Sequence, residues 1–196
     1  YLREEEGYGL FSNISLRGVD PGRSGKVSIM EDGILTAPAP YSAPEAYYSP
    51  TTGRMHGIEV LKGSSQIKYG PHTTGGVINY LSTPIPTKAE YYLKTLSGTD
   101  SEIRAHAYVG NTFKTSAGKF GFLIENYYRG SDGFKTIDAK GDFTDADRTG
   151  FRKIEPTLKL SWVPNTSIYQ RLEAKIGYTD LDADETYLGL TDADFR

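Results

Sequence analysis

Residues 14–83 read ISLRGVDPGRSGKVSIMEDGILTAPAPYSAPEAYYSPTTGRMHGIEVLKGSSQIKYGPHTTGGVINYLST, and this stretch decides the fold. It contains three short β-prone runs, at 27–29, 58–61 and 76–81. The first ends in an Asp-Gly turn signal, and glycines follow the second and open the third. Three small strands with turns between them predict a small mixed β domain.

Five short motifs follow one another across this stretch, and each is weak evidence by itself. They are Arg17-Gly18, Glu31-Asp32-Gly33-Ile34, Ile58-Glu59-Val60-Leu61-Lys62-Gly63, Tyr69-Gly70 and Gly75-Gly76-Val77-Ile78-Asn79. Taken together and in this order, they resemble the second half of the plug domain of TonB-dependent outer-membrane receptors. Two further segments, 37–41 and 185–191, are similar to the ferric dicitrate branch of that family.

The composition excludes several classes of protein. The 196 residues are 37% hydrophobic and 24% charged, with a formal net charge of −3 at pH 7, so there is no basic footprint for nucleic acid. No run approaches the roughly 18 apolar residues of a membrane-spanning helix, which excludes a helical membrane protein. Cysteine is absent, so neither a disulfide framework nor a thiolate metal site can be argued.

From Lys88 onward the pattern changes to a strict alternation of apolar and polar residues. Five segments of roughly ten residues have this period of two, which predicts antiparallel strands with one apolar face. Pro156 lies in the fourth segment, where it removes a ladder hydrogen bond and predicts a bulge or a local break in pairing. The apolar positions include Tyr91, Ile103, Phe122, Leu158 and Ile176.

Two architectures fit five alternating strands, a transmembrane β-barrel and a soluble β-sandwich. The Lys, Glu, Arg, His and Tyr residues on the polar side favour a barrel with a wet lumen. Loop lengths favour it too: tight turns are expected at 97–101 and 164–167, and long polar loops at 130–150 and after Asp180. Outer-membrane barrels combine short periplasmic turns with longer extracellular loops. A longish inner turn expected at 111–118 fits this rule less well.

The resemblance implies a β-rich fold in two parts. Residues 1–86 are expected to form the carboxy-terminal part of a plug domain, built on a small mixed sheet. Residues 87–196 are expected to form the first five antiparallel strands of a transmembrane β-barrel of about 22 strands. The chain would then be a fragment, lacking the signal peptide, the TonB-contacting segment and the first half of the plug.

The resemblance also implies a latch between plug and barrel. In the family, an arginine at the position of Arg17 and a basic residue at that of Lys62 pair with carboxylates on the barrel wall. Such a desolvated ion pair is costly to break from one side only. Direct contact of Arg17 with an anionic ligand is the alternative reading.

Ligand-binding residues are expected on the proline-rich loop and near it. An iron chelate rich in carboxylates needs arginine forks and hydroxyl donors rather than metal-ligating side chains. Ala43 stands where ferric dicitrate receptors tend to carry glutamine, a departure that bears on citrate in particular. Packing or solvation is the alternative role for each candidate, and the candidates are Arg17, Arg23, Tyr41, Ser42 and Tyr47.

Metal and catalytic sites are not indicated. His56, His72 and His106 have no metal-ligand spacing. The aspartates between 138 and 147 lack the ordered spacing and closing Glu of a calcium loop. No G-x-S-x-G elbow occurs, and nothing places a base beside a nucleophile. We therefore expect no enzyme, no metal site and no cofactor.

The function that the resemblance implies is energy-coupled uptake of a ferric chelate, with ferric citrate as the favoured cargo. The expected partners are a TonB-type energy-transducing protein, the transported chelate and the lipid of the bacterial outer membrane. One alternative keeps the receptor class but changes the cargo to another siderophore, a cobalamin or an oligosaccharide. The other alternative is a secreted β-rich adhesin or carbohydrate-binding module.

Overall fold

The contacts in the computed structural model divide the chain into two units, Tyr1–Thr83 and Pro84–Arg196. The predicted domain boundary after Pro86 stays a prediction. No helix in the described part of the chain is long and apolar enough to cross a membrane. The structure describes residues 2–4, 7–10, 12–19, 26–36, 50–70, 73–135 and 149–184.

The first unit contains an antiparallel strand pair and a four-stranded mixed sheet. The pair joins β1 (Leu2–Glu4) to β2 (Ser12–Ile14). In the sheet, whose order is β4-β3-β6-β5, β3 and β6 are parallel and the other neighbours are antiparallel. All three strands predicted in this region are confirmed, and β4 is an additional one. The bounds are β3 Val27–Glu31, β4 Ile34–Leu35, β5 Met55–Leu61 and β6 Gly76–Ser82.

The core of the first unit lies on its two central strands. Val27 and Ile29 of β3 pack with Ile78 and Tyr80 of β6, and all four side chains are buried. Central parallel strands are covered on both faces, which is why β3 and β6 read as nearly continuous apolar runs. The partly buried side chains that pack against this cluster are Ile14, Leu16, Val19 and Met55.

The edge strand β5 contains a β-bulge. Met55 lies opposite Ser82 and Gly57 lies opposite Leu81, so His56 is an extra residue on the β5 side. A bulge bends the strand and increases its twist. It therefore makes this edge a poor template for pairing with another chain.

The second unit is one antiparallel sheet in which neighbours in sequence are neighbours in space. The order is β11-β10-β9-β8-β7, and β12 continues the line of β11 along β10. The five predicted strands are therefore confirmed, with the fifth in two pieces. The bounds are β7 Glu90–Ser97, β8 Ile103–Thr115, β9 Gly118–Ser131, β10 Phe151–Pro164, β11 Leu172–Gly177 and β12 Asp180–Ala183.

Two predicted turns differ from the structure. The expected turn at 111–118 is wrong, because β8 and β9 stay paired down to Thr115 opposite Gly118 and leave a two-residue turn. The expected tight turn at 164–167 is also wrong, since the connection extends from 165 to 171. There the Asn165 side chain donates to the Ser116 carbonyl oxygen at 3.0 Å, which holds the connection against the neighbouring turn.

Two predicted long loops and one tight turn complete the comparison. The tight turn at 97–101 is confirmed, since β7 and β8 pair up to Ser97 opposite Ile103. The loop expected from Asp180 is wrong at its start, because Asp180–Ala183 forms β12 and pairs with β10. Most of the loop expected at 130–150, from 136 to 148, lies outside the described residues.

The central strands β8, β9 and β10 are reversed relative to a soluble protein, since their apolar side is the more exposed one, and β7 and β11 are exposed on both sides. Tyr91 is 79% exposed and Ile176 66% exposed, and Ile103, Ile124 and Leu160 are exposed as well. Within the described part of this sheet, the apolar residues thus form no closed interior of their own. The other side, named here the polar face, has the buried residues His106, Glu125, Lys153, Glu155, Thr157 and Lys159.

Candidate functional site

Arg17 lies at the tip of a tight turn in the first unit. Arg17 and Gly18 have φ values of 59° and 74°, the pattern of a type I′ turn. The Val19 N–H donates to the Leu16 carbonyl oxygen at 3.4 Å, and the Ser15 hydroxyl donates to the Val19 carbonyl oxygen. Arg17 is exposed at this turn.

The two predicted latch residues are both described and both exposed. Arg17 precedes a left-handed Gly18, and Lys62 follows the last residue of β5. Neither side chain forms an ion pair with another described residue of the chain. The latch therefore stays a prediction. The predicted ligand-binding residues Arg23, Tyr41, Ser42 and Tyr47 lie outside the described residues.

The Glu31-Asp32-Gly33 motif anchors a network that sequence analysis did not find. The guanidinium of Arg54 donates two hydrogen bonds to the Glu31 carboxylate, at 2.9 and 2.8 Å. Arg54 is only 4% exposed and Glu31 is nearly buried too. A bidentate pair of this kind stabilises the fold and also fixes the orientation of both side chains.

The next two residues of the motif bind β6. Asp32 accepts hydrogen bonds from the Ser82 N–H, at 2.9 Å, and from the Ser82 hydroxyl. The Gly33 N–H donates to the Asn79 side chain at 2.8 Å. Asp32 and Gly33 both have positive φ, which the β3–β4 turn requires. The motif therefore connects one hairpin turn to the end of the neighbouring strand.

The paired glycines at the start of β6 are required by close packing. A Cβ at Gly75 would lie 3.0 Å from the Lys26 carbonyl oxygen, and one at Gly76 would lie 2.9 Å from that of Leu61. Gly76 also has a φ of +148°. No side chain fits there without moving backbone. Together with the Arg17-Gly18 turn and the Glu31 network, this gives a structural reason for three of the five motifs that carry the family resemblance.

On the polar face, three cations occupy one row across neighbouring strands. Arg104 of β8 lies directly opposite Arg129 of β9, and Arg129 lies directly opposite Lys153 of β10. We call Arg104, Arg129 and Lys153 the cation row. Like charges directly opposite each other are destabilising unless a counter-charge lies between them.

Glu102 supplies that counter-charge for the two arginines. Its Oε1 lies 2.9 Å from Arg104 Nε, 2.7 Å from Arg104 Nη2 and 2.9 Å from Arg129 Nε. Burial alone would raise the pKa of the Glu102 carboxyl, but the hydrogen bonds from Arg129 and Arg104 outweigh it, and the pKa is lowered. Glu102 is therefore ionised at neutral pH.

The next row on the polar face is a buried pair within an aromatic group. His106 Nε2 and Glu125 Oε1 lie 2.8 Å apart, and the Glu125 side chain is fully buried. The ring of His106 packs edge-on against Tyr92 and Tyr127, with centroids 5.2 and 5.9 Å apart. No three His, Cys, Asp or Glu residues in the described ranges are arranged to hold a metal ion.

On the apolar side, aromatic rings gather at the end with the two-residue turn. The Phe120 ring stacks on Trp162 at 5.8 Å and on Phe113 at 6.1 Å. The Trp162 indole N–H donates to the Ala117 carbonyl oxygen at 3.3 Å. Amphipathic rings with a polar contact at one end are typical of the interface between lipid and water.

Comparison with known families gives a match within the first unit. Residues 2–77 match the sequence profile of the TonB-dependent Receptor Plug Domain. The matched stretch is 76 residues of the 196-residue chain. The fold prediction, a plug domain followed by the first strands of a barrel, is confirmed.

Solved structures of three individual receptors resemble the chain. The ferric citrate transporter FecA in its unliganded form superposes with a TM-score of 0.71 at 22% identity, over 94% of this chain and 27% of that one. The siderophore receptor PirA from Acinetobacter baumannii gives 0.63 at 18% identity, over 93% and 27%. The ferric yersiniabactin uptake receptor FyuA from Yersinia pestis gives 0.62 at 19% identity, over 93% and 28%. This chain thus spans a little over a quarter of each structure, and the likeness shows the fold.

Proposed function

We propose that this chain is part of a TonB-dependent receptor of the bacterial outer membrane that takes up a ferric chelate. The observation that carries the proposal is a plug-domain profile over residues 2–77, followed by a sheet whose apolar side is exposed. An exposed apolar side suits lipid, and a buried polar face suits a lumen that a plug fills. The long loops then lie outside the cell.

The work of such a receptor is binding and release, with no covalent step. The chelate binds at the outer end, and a TonB-type partner in the inner membrane supplies the energy that loosens the plug. Ligand can shift the plug between two conformations only as far as its affinities for them differ. Arg17 and Lys62 are the proposed latch, and Arg23, Tyr41, Ser42 and Tyr47 are the proposed ligand contacts with Arg17.

Ferric citrate is the proposed cargo. The structural likeness to a ferric citrate transporter supports it, as do the segments 37–41 and 185–191. Another siderophore is the second candidate, because receptors for other siderophores have the same fold. Ala43, in place of a glutamine, is the feature that favours this second candidate over citrate.

Iron uptake by whole cells tests the function. A strain without its own ferric-chelate receptors would carry the full-length gene, and uptake of radioactive iron as ferric citrate would be measured with and without the energy-transducing partner. We expect uptake that requires both proteins. Uptake of iron with a different chelate only would replace citrate by that cargo, and no uptake of any ferric chelate would contradict the proposal.

A further inference from the structure

We propose that the arginines of the cation row form an anion-binding site at the outer end of the polar face, which takes a carboxylate group of the transported chelate. This inference rests on the proposed function and names the chemical class of its cargo. Its residues belong to β8, to β9 and to the turn that precedes β8.

The first argument is the way in which Arg129 is held. The Nε–H of Arg129 donates a hydrogen bond to the Glu102 carboxylate at 2.9 Å. The ring of Phe151 lies under the same group, with Arg129 Cζ 5.0 Å from the ring centroid. Both contacts leave the two terminal Nη atoms without a hydrogen-bond partner among the described residues. Two parallel N–H donors in one plane match the two oxygens of a carboxylate.

The second argument is charge. Arg104 and Arg129 lie directly opposite each other and share a single carboxylate. Lys153 continues the row and lies 3.6 Å from the Glu155 carboxylate. The two arginines and the carboxylate they share therefore have a net charge of +1, counted over Arg104, Arg129 and Glu102. An anion that approached this row would reduce the repulsion between the two arginines.

The third argument is position. Arg104 is 42% exposed and Arg129 is 15% exposed, so a ligand can reach a pair that is otherwise fixed. Arg104 is the second residue of β8, and Arg129 lies two residues before the end of β9 at Ser131, so both lie at the same end of the sheet. In the proposed receptor this is the end at which cargo enters. Arginine side chains that are already ordered lose less entropy when they bind.

The test uses the full-length receptor in detergent and two probes, titrated by calorimetry. Ferric citrate is an anionic chelate, and a ferric trihydroxamate is a neutral one. Arg129→Gln removes both the charge and the two parallel N–H donors of the guanidinium. Arg129→Lys keeps the charge without the paired donors. Arg152→Gln is the matched control, since Arg152 is on the next strand, 61% exposed, on the opposite side of the sheet. Circular dichroism checks that each variant is folded.

We expect Arg129→Gln to weaken ferric citrate binding about 10-fold to 100-fold, as for loss of a charge-assisted bidentate contact. Arg129→Lys should recover only part of this loss, and Arg152→Gln should change binding by less than about twofold. Equal effects of Arg129→Gln and Arg152→Gln would overturn the inference. A receptor that binds only the neutral chelate would overturn it too, while leaving chelate uptake intact. If the receptor binds neither probe and cells take up no ferric chelate, both this inference and the proposed function are overturned.

Discussion

The carbonyl oxygen of Pro156 accepts a hydrogen bond from the Tyr178 N–H at 3.1 Å, and Pro156 has no N–H with which to return it. The register is the same on both sides of this point, with Thr157 opposite Gly177 and Ile154 opposite Asp180. No residue has been inserted, so the fifth strand is interrupted and not bulged. The pairing of β10 with β9 continues through Pro156 without a break, because both polar groups of residue 156 point toward the fifth strand.

Replacing this proline should therefore strengthen the sheet. Pro156→Val supplies an N–H that can donate to the Tyr178 carbonyl oxygen, and one net hydrogen bond is worth about 1 kcal/mol. We expect the free energy of unfolding in lipid vesicles to rise by about that amount, and the new amide to exchange slowly with deuterium. Leu158→Val, a change on the same side of β10 that adds no donor, should give no gain. A fast-exchanging amide at position 156 would show that the break has another cause.

The Glu31–Arg54 pair predicts a large penalty for single substitutions. Because Arg54 is almost fully buried, Glu31→Met or Arg54→Met alone leaves an uncompensated charge, at a cost of about 3 kcal/mol or more. Hydrogen exchange of the β3 and β6 amides in the full-length receptor measures this cost. The double variant should be nearer to the parent than either single one. Additive effects of the two substitutions would rule out a coupled pair.

The glycines of the plug predict a contrast between two alanine substitutions. Gly76→Ala places a Cβ 2.9 Å from the Leu61 carbonyl oxygen at a φ of +148°, and we expect a loss of about 1–3 kcal/mol. Gly57→Ala is the control, since its nearest neighbour would be the Leu81 side chain at 3.6 Å, an ordinary contact. The same exchange experiment compares them, and similar losses at both sites would count against close packing as the cause.

Glu102 predicts a pH dependence with a defined sign. Its pKa in the folded protein is lowered from the ordinary value of 4.5. The stabilisation from Arg104 and Arg129 is therefore fully present above that value and is lost as the pH falls through the lowered pKa. The free energy of unfolding, measured between pH 7 and pH 3, should fall with pH in the parent protein. It should fall less in Glu102→Gln. Identical acid profiles would mean that the two arginines do not hold the carboxylate in solution.

The exposed apolar side predicts a depth-dependent response to charge. Ile124 lies in the middle of β9 and is 53% exposed. If this side faces lipid, Ile124→Arg should destabilise the full-length receptor in vesicles by about 2–4 kcal/mol. Thr115→Arg, on the same side but beside the turn, should cost about 0–1 kcal/mol. A harmless Ile124→Arg would indicate that water, not lipid, covers this side.

Local patterns explain what could be predicted from the sequence. The alternation of Ile154, Leu158 and Leu160 with charged residues is set by the pleat of a single strand, so it identified β10 and its exposed side without any knowledge of its neighbours. The break at Pro156 was predictable for the same reason, because a missing N–H is a property of one residue. The turn at 116–117 was missed, since Thr112 and Lys114 are polar residues that are also common in loops.

The ion pairs depend on strand pairings that a sequence does not contain. Glu31 and Arg54 are 23 positions apart, and Glu102 and Arg129 are 27 positions apart. Each pair meets only after a strand register has been fixed. The one available signal was the mixture of charges on the polar side of β8 and β9, which predicted a wet face but not which cation meets which carboxylate.

The alternation of the second sheet restricts how the length of this chain can vary. One inserted residue within β8, β9 or β10 would exchange the inward and outward side chains as far as the next turn, putting lysine and glutamate where tyrosine and leucine now lie. Insertions and deletions are therefore compatible with this sheet only at its bends, such as Ser116-Ala117 and 165–171, and homologous genes should differ in length there and not in between.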